Sequence, residues 1–357
     1  MRGAAVILVL IMATGMASSF IARNKPRYGT TPMAMPIPKG WPQPVYNFRE
    51  NQPTREGFEL GRRLFYDGRL SKDGNFPCAG CHQQFAAFAT FDHSLSHGVD
   101  NQLTTRNAPA LFNLAWQKEF MHDGGVNHLD LQPLAPLTAS NEMGETISNV
   151  LQKLRADKQY RRMFRAAFGD TLINTQRMMK ALSQFMLMMV SADSKYDKVK
   201  RGEAAFTLAE NLGQQIFNRK CASCHPPPFF TDFSYRNIGL EPDGTLADSG
   251  RMRITLDKRD AYKFRVPSLR NVKVTAPYGH DGRFFSLADV FSHYRQQHTT
   301  MPGVDSLVKN GIPLSNFEIG QLTAFLFALT DSTLLSDKRF GLPPGMKEAQ
   351  FPDPQNH

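Results

Sequence analysis

The chain's four cysteines fall in two copies of one pattern, Cys78-Ala-Gly-Cys81-His82 and Cys221-Ala-Ser-Cys224-His225. A Cys-x-x-Cys-His run is the attachment signal for a c-type haem. Each thiol adds to one vinyl group of the porphyrin, and the adjacent His reaches the iron as proximal ligand. A Cys-x-x-Cys pair alone would also suit a redox dithiol or half a zinc site. The His that follows immediately, and does so twice, argues against both. It also argues against reading four cysteines as two disulfides.

Positioning two such groups calls for two similar scaffolds, and the sequence contains a repeat. Gly61-Arg-Arg-Leu-Phe65 precedes the first motif and Gly213-Gln-Gln-Ile-Phe217 the second. Downstream, residues 107–125 lie over 265–283 without a gap, at a constant offset of 158. Pro109/Pro267, Leu111/Leu269, Asn113/Asn271, His122/His280, Asp123/Asp281 and Gly124/Gly282 are identical. The expected fold is therefore all-α, with two tandem cytochrome c-like domains, each holding one covalent haem. Apolar residues recur at helical spacing in 175–192, 207–218, 286–294 and 315–330, and no segment alternates convincingly as a strand. Met178, Met179, Met186, Met188 and Met189 read as core filling.

Continuing the offset pairs Leu129 with Leu287 and Pro136 with Tyr294. In a cytochrome c domain this downstream region supplies the sixth iron ligand. A Tyr phenolate can bind iron and Pro offers no donor. The register thus predicts a first haem open to a small molecule and a second closed by Tyr294, with a core Tyr as the alternative. His293 points about 100° away around the same helix. Met301, in Thr-Met301-Pro-Gly, is the second candidate ligand.

Composition sets the outer limits. The chain has 357 residues, 41% hydrophobic and 21% charged, with 27 Phe and 2 Trp. It is long enough for two or three domains. Its formal charge is +10, from 42 basic and 32 acidic residues that form no block. Nucleic-acid binding would call for a concentrated basic stripe, so no nucleic-acid partner is expected. A solvated basic surface, or attraction of an acidic redox partner, fits better. Met1-Arg2 and the apolar run Ala4 to Ala22 read as an export signal, with Gly15 and Ala17 as a small-residue cleavage site. An uncleaved membrane anchor is the alternative. The resulting plan is a signal or anchor at 1–22, a Pro- and Gly-rich linker at 23–54, an N-terminal haem domain at 55–200, a C-terminal haem domain at 201–335 and a tail at 336–357. The expected location is the periplasm.

Over residues 55–330 the sequence resembles the bacterial di-haem cytochrome c peroxidases and their MauG-like relatives. The resemblance rests on Arg63-Leu-Phe-Tyr-Asp-Gly-Arg-Leu-Ser71, both haem motifs, Arg106-Asn-Ala-Pro109, Asn141-Glu-Met-Gly144, Val266-Pro-Ser-Leu-Arg-Asn271 and Thr275-Ala-Pro-Tyr-Gly-His-Asp-Gly282. It implies a peroxide site at the first haem lined by Gln132, Pro136 and Glu142. Splitting an O–O bond needs a group that moves a proton from the near to the far oxygen, a task for the Glu142 carboxyl, with Gln132 orienting by hydrogen bond. The resemblance also implies calcium between the domains, at Asn107 and the backbone carbonyls of Thr275 and Pro277.

Three positions depart from the peroxidase pattern. Tyr294 stands where the peroxidases usually have Met, as in the MauG-like branch, and a hard anionic ligand lowers the potential of its haem. His122 replaces the family's Trp between the haems, either weakening their coupling, acting through hydrogen bonds or repeating the structural role of His280. His97 lies near the place of the removable His that many peroxidases hold over the open haem; a surface-loop His is the alternative. The expected activity is hydrogen-peroxide reduction with electrons from a small cytochrome c or copper protein. A MauG-like oxidase that modifies a partner protein and a plain di-haem electron carrier are the alternatives.

Overall fold

The computed structural model describes residues 30–347, so the expected signal at 1–22 lies outside the described residues. The helices are α1 (Arg55–Phe65), α2 (Cys78–Cys81), α3 (Leu134–Thr138), α4 (Ile147–Ala156), α5 (Lys158–Phe168), α6 (Thr175–Leu187), α7 (Lys195–Arg201), α8 (Leu208–Lys220), α9 (Met252–Thr255), α10 (Leu287–Arg295), α11 (Asn316–Phe327) and α12 (Ser332–Ser336). The only ladder among the described residues is short and antiparallel, between β1 (Tyr235–Arg236) and β2 (Phe264–Arg265). No described helix is long and apolar enough to cross a membrane.

Local sequence sets where the helices start. Thr207 with Glu210, Ser286 with Asp289 and Ser315 with Glu318 form capping boxes at α8, α10 and α11. Thr54 caps α1 by accepting from the Gly57 N–H at 3.0 Å.

Two pairs of helices repeat one crossing. α1 packs on α6 and α8 on α11, and each crossing is closed on a glycine. A Cβ on Gly61 would stand 1.9 Å from the Ala181 carbonyl oxygen, and one on Gly213 would stand 2.0 Å from that of Gln321. Backbones this close leave room only for hydrogen. One helical turn on, Phe65 meets Phe185 and Phe217 meets Phe325, in both cases with ring centroids 5.2 Å apart.

The downstream repeat holds its register in three dimensions. Asn113 and Asn271 both take left-handed backbone ahead of a short 3-10 turn. Their N–H groups donate to Met189 O at 2.8 Å and Leu329 O at 3.1 Å, just past the ends of α6 and α11. The bridges Phe120↔Val126 and Tyr278↔Phe284 also match at the offset of 158. The two copies meet about a local two-fold: Asn107 N–H donates to His280 O at 2.8 Å, and its counterpart Arg265 N–H donates to His122 O at 2.7 Å.

The buried apolar residues form two clusters. The first gathers Phe65, Phe88, Phe164 and Phe185 with the five methionines named above. The second gathers Phe217, Phe230, Phe291 and Phe325. Tyr196 of α7 belongs to the second, whereas Leu334 and Phe340 return to the first. From residue 30 onward, the stretch read as a linker is not a free tether. Met33, Met35, Trp41, Tyr46 and Phe48 pack against the first cluster. Its backbone lacks regular structure, but its side chains are those of a core.

Candidate functional site

At the first motif, Cys78 and Cys81 lie on α2, and His82 caps it with its N–H on Cys78 O at 2.9 Å. The His82 Nδ1 meets Phe88 O at 2.8 Å, which fixes the ring and leaves Nε2 as the ligand atom. Burial pushes the His82 pKa down to about 4, so the ring is neutral at pH 7, as a ligand must be. Phe88 packs against Phe65 at 6.2 Å, so the α1–α6 crossing supports the proximal His.

The second motif repeats this arrangement. His225 Nδ1 meets Phe230 O at 3.0 Å and Pro267 O at 3.1 Å, and Phe230 packs against Phe217 at 5.6 Å. All four cysteines are free of disulfides. Burial raises the unmodified thiols, Cys78 to about 12, Cys81 to about 11 and Cys221 to about 12. A redox dithiol is built the opposite way, with a depressed thiol pKa, so the sites fit covalent attachment.

Gln132, Pro136 and Glu142 lie on one hook of chain. Gln132 precedes α3 and contacts Met121 Sδ through Nε2 at 3.8 Å. Pro136 is on α3, and its carbonyl accepts from Met143 N–H at 3.1 Å, tying the Glu142 turn back to the helix. Val99 N–H donates to Glu142 O at 2.8 Å. Gly98 lies so close that a Cβ there would stand 2.3 Å from Asn141 O. The Glu142 carboxylate lies near enough to Cys78 and Cys81 to add to the rise that burial gives both thiols. Burial raises its own pKa above the ordinary carboxylate range. His97, next to Gly98, belongs to the loop that wraps this turn; its ring is 5.3 Å from that of His93.

At the second site Tyr294 is on α10. Burial raises its phenol pKa, and Cys221 and Cys224 nearby raise it further. His293 is turned away, its Nε2 held by Ile238 O at 2.9 Å. Met301 is buried in a turn where Asn237 Nδ2 donates to the neighbouring Pro302 O at 3.4 Å.

His122 and Asn107, one of the expected calcium residues, lie at the local two-fold. His122 Nε2 meets Asn107 O at 2.9 Å, and burial holds its pKa down to about 3. Asn107 Nδ2 donates to Ser94 O at 3.1 Å, so its amide oxygen is the atom a cation would take. Thr275 ends the 3-10 turn at 272–274, and Pro277 follows two residues on. Among the described residues no group of three or more His, Cys, Asp or Glu side chains could hold a metal ion. Sequence reasoning missed Arg265, for which the pairing with Asn107 at the offset of 158 is the one signal in the chain.

With this geometry in hand, the chain can be set beside known proteins. A family model described as di-haem cytochrome c peroxidase matches residues 55–205. The methylamine utilization protein MauG of Methylophilus methylotrophus is 31% identical over 336 residues, covering 92% of this chain and 96% of the relative.

The chain belongs to the di-haem cytochrome c peroxidase family.

Cytochrome c peroxidase Ccp of Escherichia coli is 32% identical over 276 residues, 74% of this chain and 58% of the relative. A crystal structure described as a MauG-like protein associated with microbial copper homeostasis superposes with a TM-score of 0.78 at 32% identity, covering 87% of this chain and 99% of that one. Membership makes this chain a haem-dependent oxidoreductase, and the neutral, carbonyl-anchored His82 and His225 suit that cofactor.

Proposed function

We propose that the chain reduces hydrogen peroxide to two waters, using two electrons from a small redox protein, a cytochrome c or a copper protein, and two protons. The observation that supports this most is an asymmetry between two otherwise repeated sites. The Glu142 carboxylate lies within electrostatic reach of both cysteines of the first motif, for which the sequence repeat offers donorless Pro136, whereas Tyr294 lies within reach of the cysteines of the second.

Haem c at each motif would supply iron that binds a small oxygen ligand and passes electrons. The chain's own residues do the rest. Pro136 would leave the first haem site without a side-chain donor, and Tyr294 would close the second. Glu142 would move a proton from one peroxide oxygen to the other, so that water could leave as the O–O bond breaks, with the two electrons coming from the donor through the bound haem groups. Burial holds the carboxyl neutral to higher pH than an ordinary Glu, which suits a group that must hand the proton back. Gln132 holds the peroxide in line by hydrogen bond. In this reading 55–200 and 201–335 are the two haem domains, calcium at Asn107, Thr275 and Pro277 joins them, and the protein works in the periplasm.

A second reading, oxidation of a partner protein, is favoured by Tyr294 and by MauG relatives that include one from Methylorubrum extorquens, 33% identical over 296 residues. One experiment separates the two: rapid mixing of the di-haem protein with peroxide and a reduced cytochrome c or copper protein. The peroxidase reading expects fast oxidation of donor, two equivalents per peroxide. A peroxide-treated protein that leaves every small donor reduced would overturn it.

A further inference from the structure

We propose that Arg265 and His280 form the seat of a haem carboxylate, a propionate of the second haem, in the cleft between the two halves of the chain. The inference rests on haem attachment at Cys221 and Cys224 and not on which substrate is oxidised.

The cleft carries an unbalanced cation. Arg106, Arg251, Arg253 and Arg265 meet there with the carboxylates of Glu119, Asp123 and Asp248, and a fourth carboxylate, Asp281, pairs with Arg283 and lies 4.0 Å from His280 Nε2. Asp123 pairs with Arg106 at 2.7 Å and Arg253 at 3.0 Å, Asp248 with Arg106 at 2.6 Å, and Glu119 with Arg251 at 3.2 Å. Arg265 is left with neutral acceptors: its Nη1 donates to Gln117 Oε1 and to Glu119 O at 3.0 Å. Burial pulls its guanidinium below the usual range, against the attraction of Tyr235, Asp123 and Glu119 nearby. A half-buried guanidinium that makes no salt bridge keeps N–H donors that suit a carboxylate.

An independent observation points the same way. The His280 ring stacks on Phe264, which precedes Arg265 on β2 and points to the other face of the strand, with centroids 3.6 Å apart and planes 13° from parallel. The stack fixes the ring, yet its Nδ1 is buried without a hydrogen-bond partner. Native structures rarely leave such an atom unsatisfied. His280 and Arg265 both act electrostatically on His122, which places them in one neighbourhood. A single anionic acceptor would satisfy the ring nitrogen and the guanidinium together.

The chemistry on hand supplies that acceptor. A haem c carries two propionates, on the side of the ring away from its thioether links. Arg265 lies two residues before Pro267, whose carbonyl meets His225 Nδ1, so its segment runs against the proximal side of the second haem. Arg265 and His280 are then positioning residues that hold the second haem by its carboxylate, His280 as a neutral N–H donor, and the Arg265 charge favours the reduced form.

The test is potentiometric titration of the intact di-haem protein with the two haems resolved by their spectra. Arg265→Gln should lower the midpoint of the second haem and leave the first nearly unmoved, with both haems still attached. Arg265→Lys should recover most of the shift. His280→Phe, which keeps the stack on Phe264 and removes the ring N–H, should lower the same midpoint by less and serves if Arg265→Gln does not fold. Unchanged midpoints in Arg265→Gln and His280→Phe, or a shift confined to the first haem, would overturn the proposal. The readout does not pass through peroxide turnover, so this failure is distinct from failure of the peroxidase reading.

Discussion

The glycine crossings make a prediction whose sign is not obvious from the residue type. In an open helix Gly→Ala stabilises by about 1 kcal/mol through propensity alone. At Gly61 the new Cβ would sit 1.9 Å from Ala181 O and 2.9 Å from Phe185 Cβ, and at Gly213 2.0 Å from Gln321 O and 2.7 Å from Phe325 Cβ. The obstruction is backbone, which no rotamer change relieves. The helices must therefore part by roughly 1 Å, at the upper end of the ~1–3 kcal/mol typical of overpacking. After the propensity gain, each substitution should destabilise by about 2 kcal/mol. In a domain of this size that lowers the midpoint by roughly 4–8 °C. Gly320, also helical but with nothing within 4 Å of a Cβ, is the control, and Gly320→Ala should stabilise by ~0.5–1 kcal/mol. The assay is thermal unfolding of the di-haem protein followed by circular dichroism and by the haem absorption bands. Gly61→Ala should disturb the band of the first haem and Gly213→Ala that of the second, through Phe65–Phe88 and Phe217–Phe230. Gly61→Ala or Gly213→Ala as stable as the parent would refute the close crossing.

Three further outcomes are expected. Mass spectrometry of the mature protein should show two haem additions, and a single addition would show that one motif is not an attachment site. Glu142→Gln should slow peroxide bond breaking by about 10²- to 10⁴-fold with resting spectra nearly unchanged, because an acid/base is lost and the shape is kept. The parent rate should follow a group titrating above the ordinary Glu range, the direction in which burial moves it, and this dependence should vanish in the variant; an unaltered rate would remove Glu142 from the mechanism. Tyr294→Phe should change the spectrum of the second haem and leave peroxide access to the first intact, whereas that change in Met301→Ala alone would assign the ligand to Met301.

Much of the site was legible because covalent chemistry and duplication leave spacing in the chain. The haem motifs, the offset of 158 and the pairing of Pro136 with Tyr294 need no knowledge of packing. The helices α6, α8, α10 and α11 stand out because each carries a sustained apolar face. What escaped was structure without a period. Residues 30–54 bury Met35 and pack Trp41 and Tyr46 on the first core from an irregular backbone, so Pro and Gly content alone suggested a tether. α5 was hidden by its four basic residues, since only Tyr160, Phe164 and Ala167 are buried along it. The Arg265–His122 contact was hidden because the two-fold that joins the copies appears only when both are folded together.

The central claim is that one of two repeated haem sites is open and the other is closed by the chain's own Tyr294. Titration of the oxidised protein with cyanide, followed at the haem absorption bands, tests it most directly. The account predicts one cyanide per chain, competing with peroxide, and two per chain in Tyr294→Phe. Two cyanides bound to the parent protein at comparable affinity, or none, would contradict it.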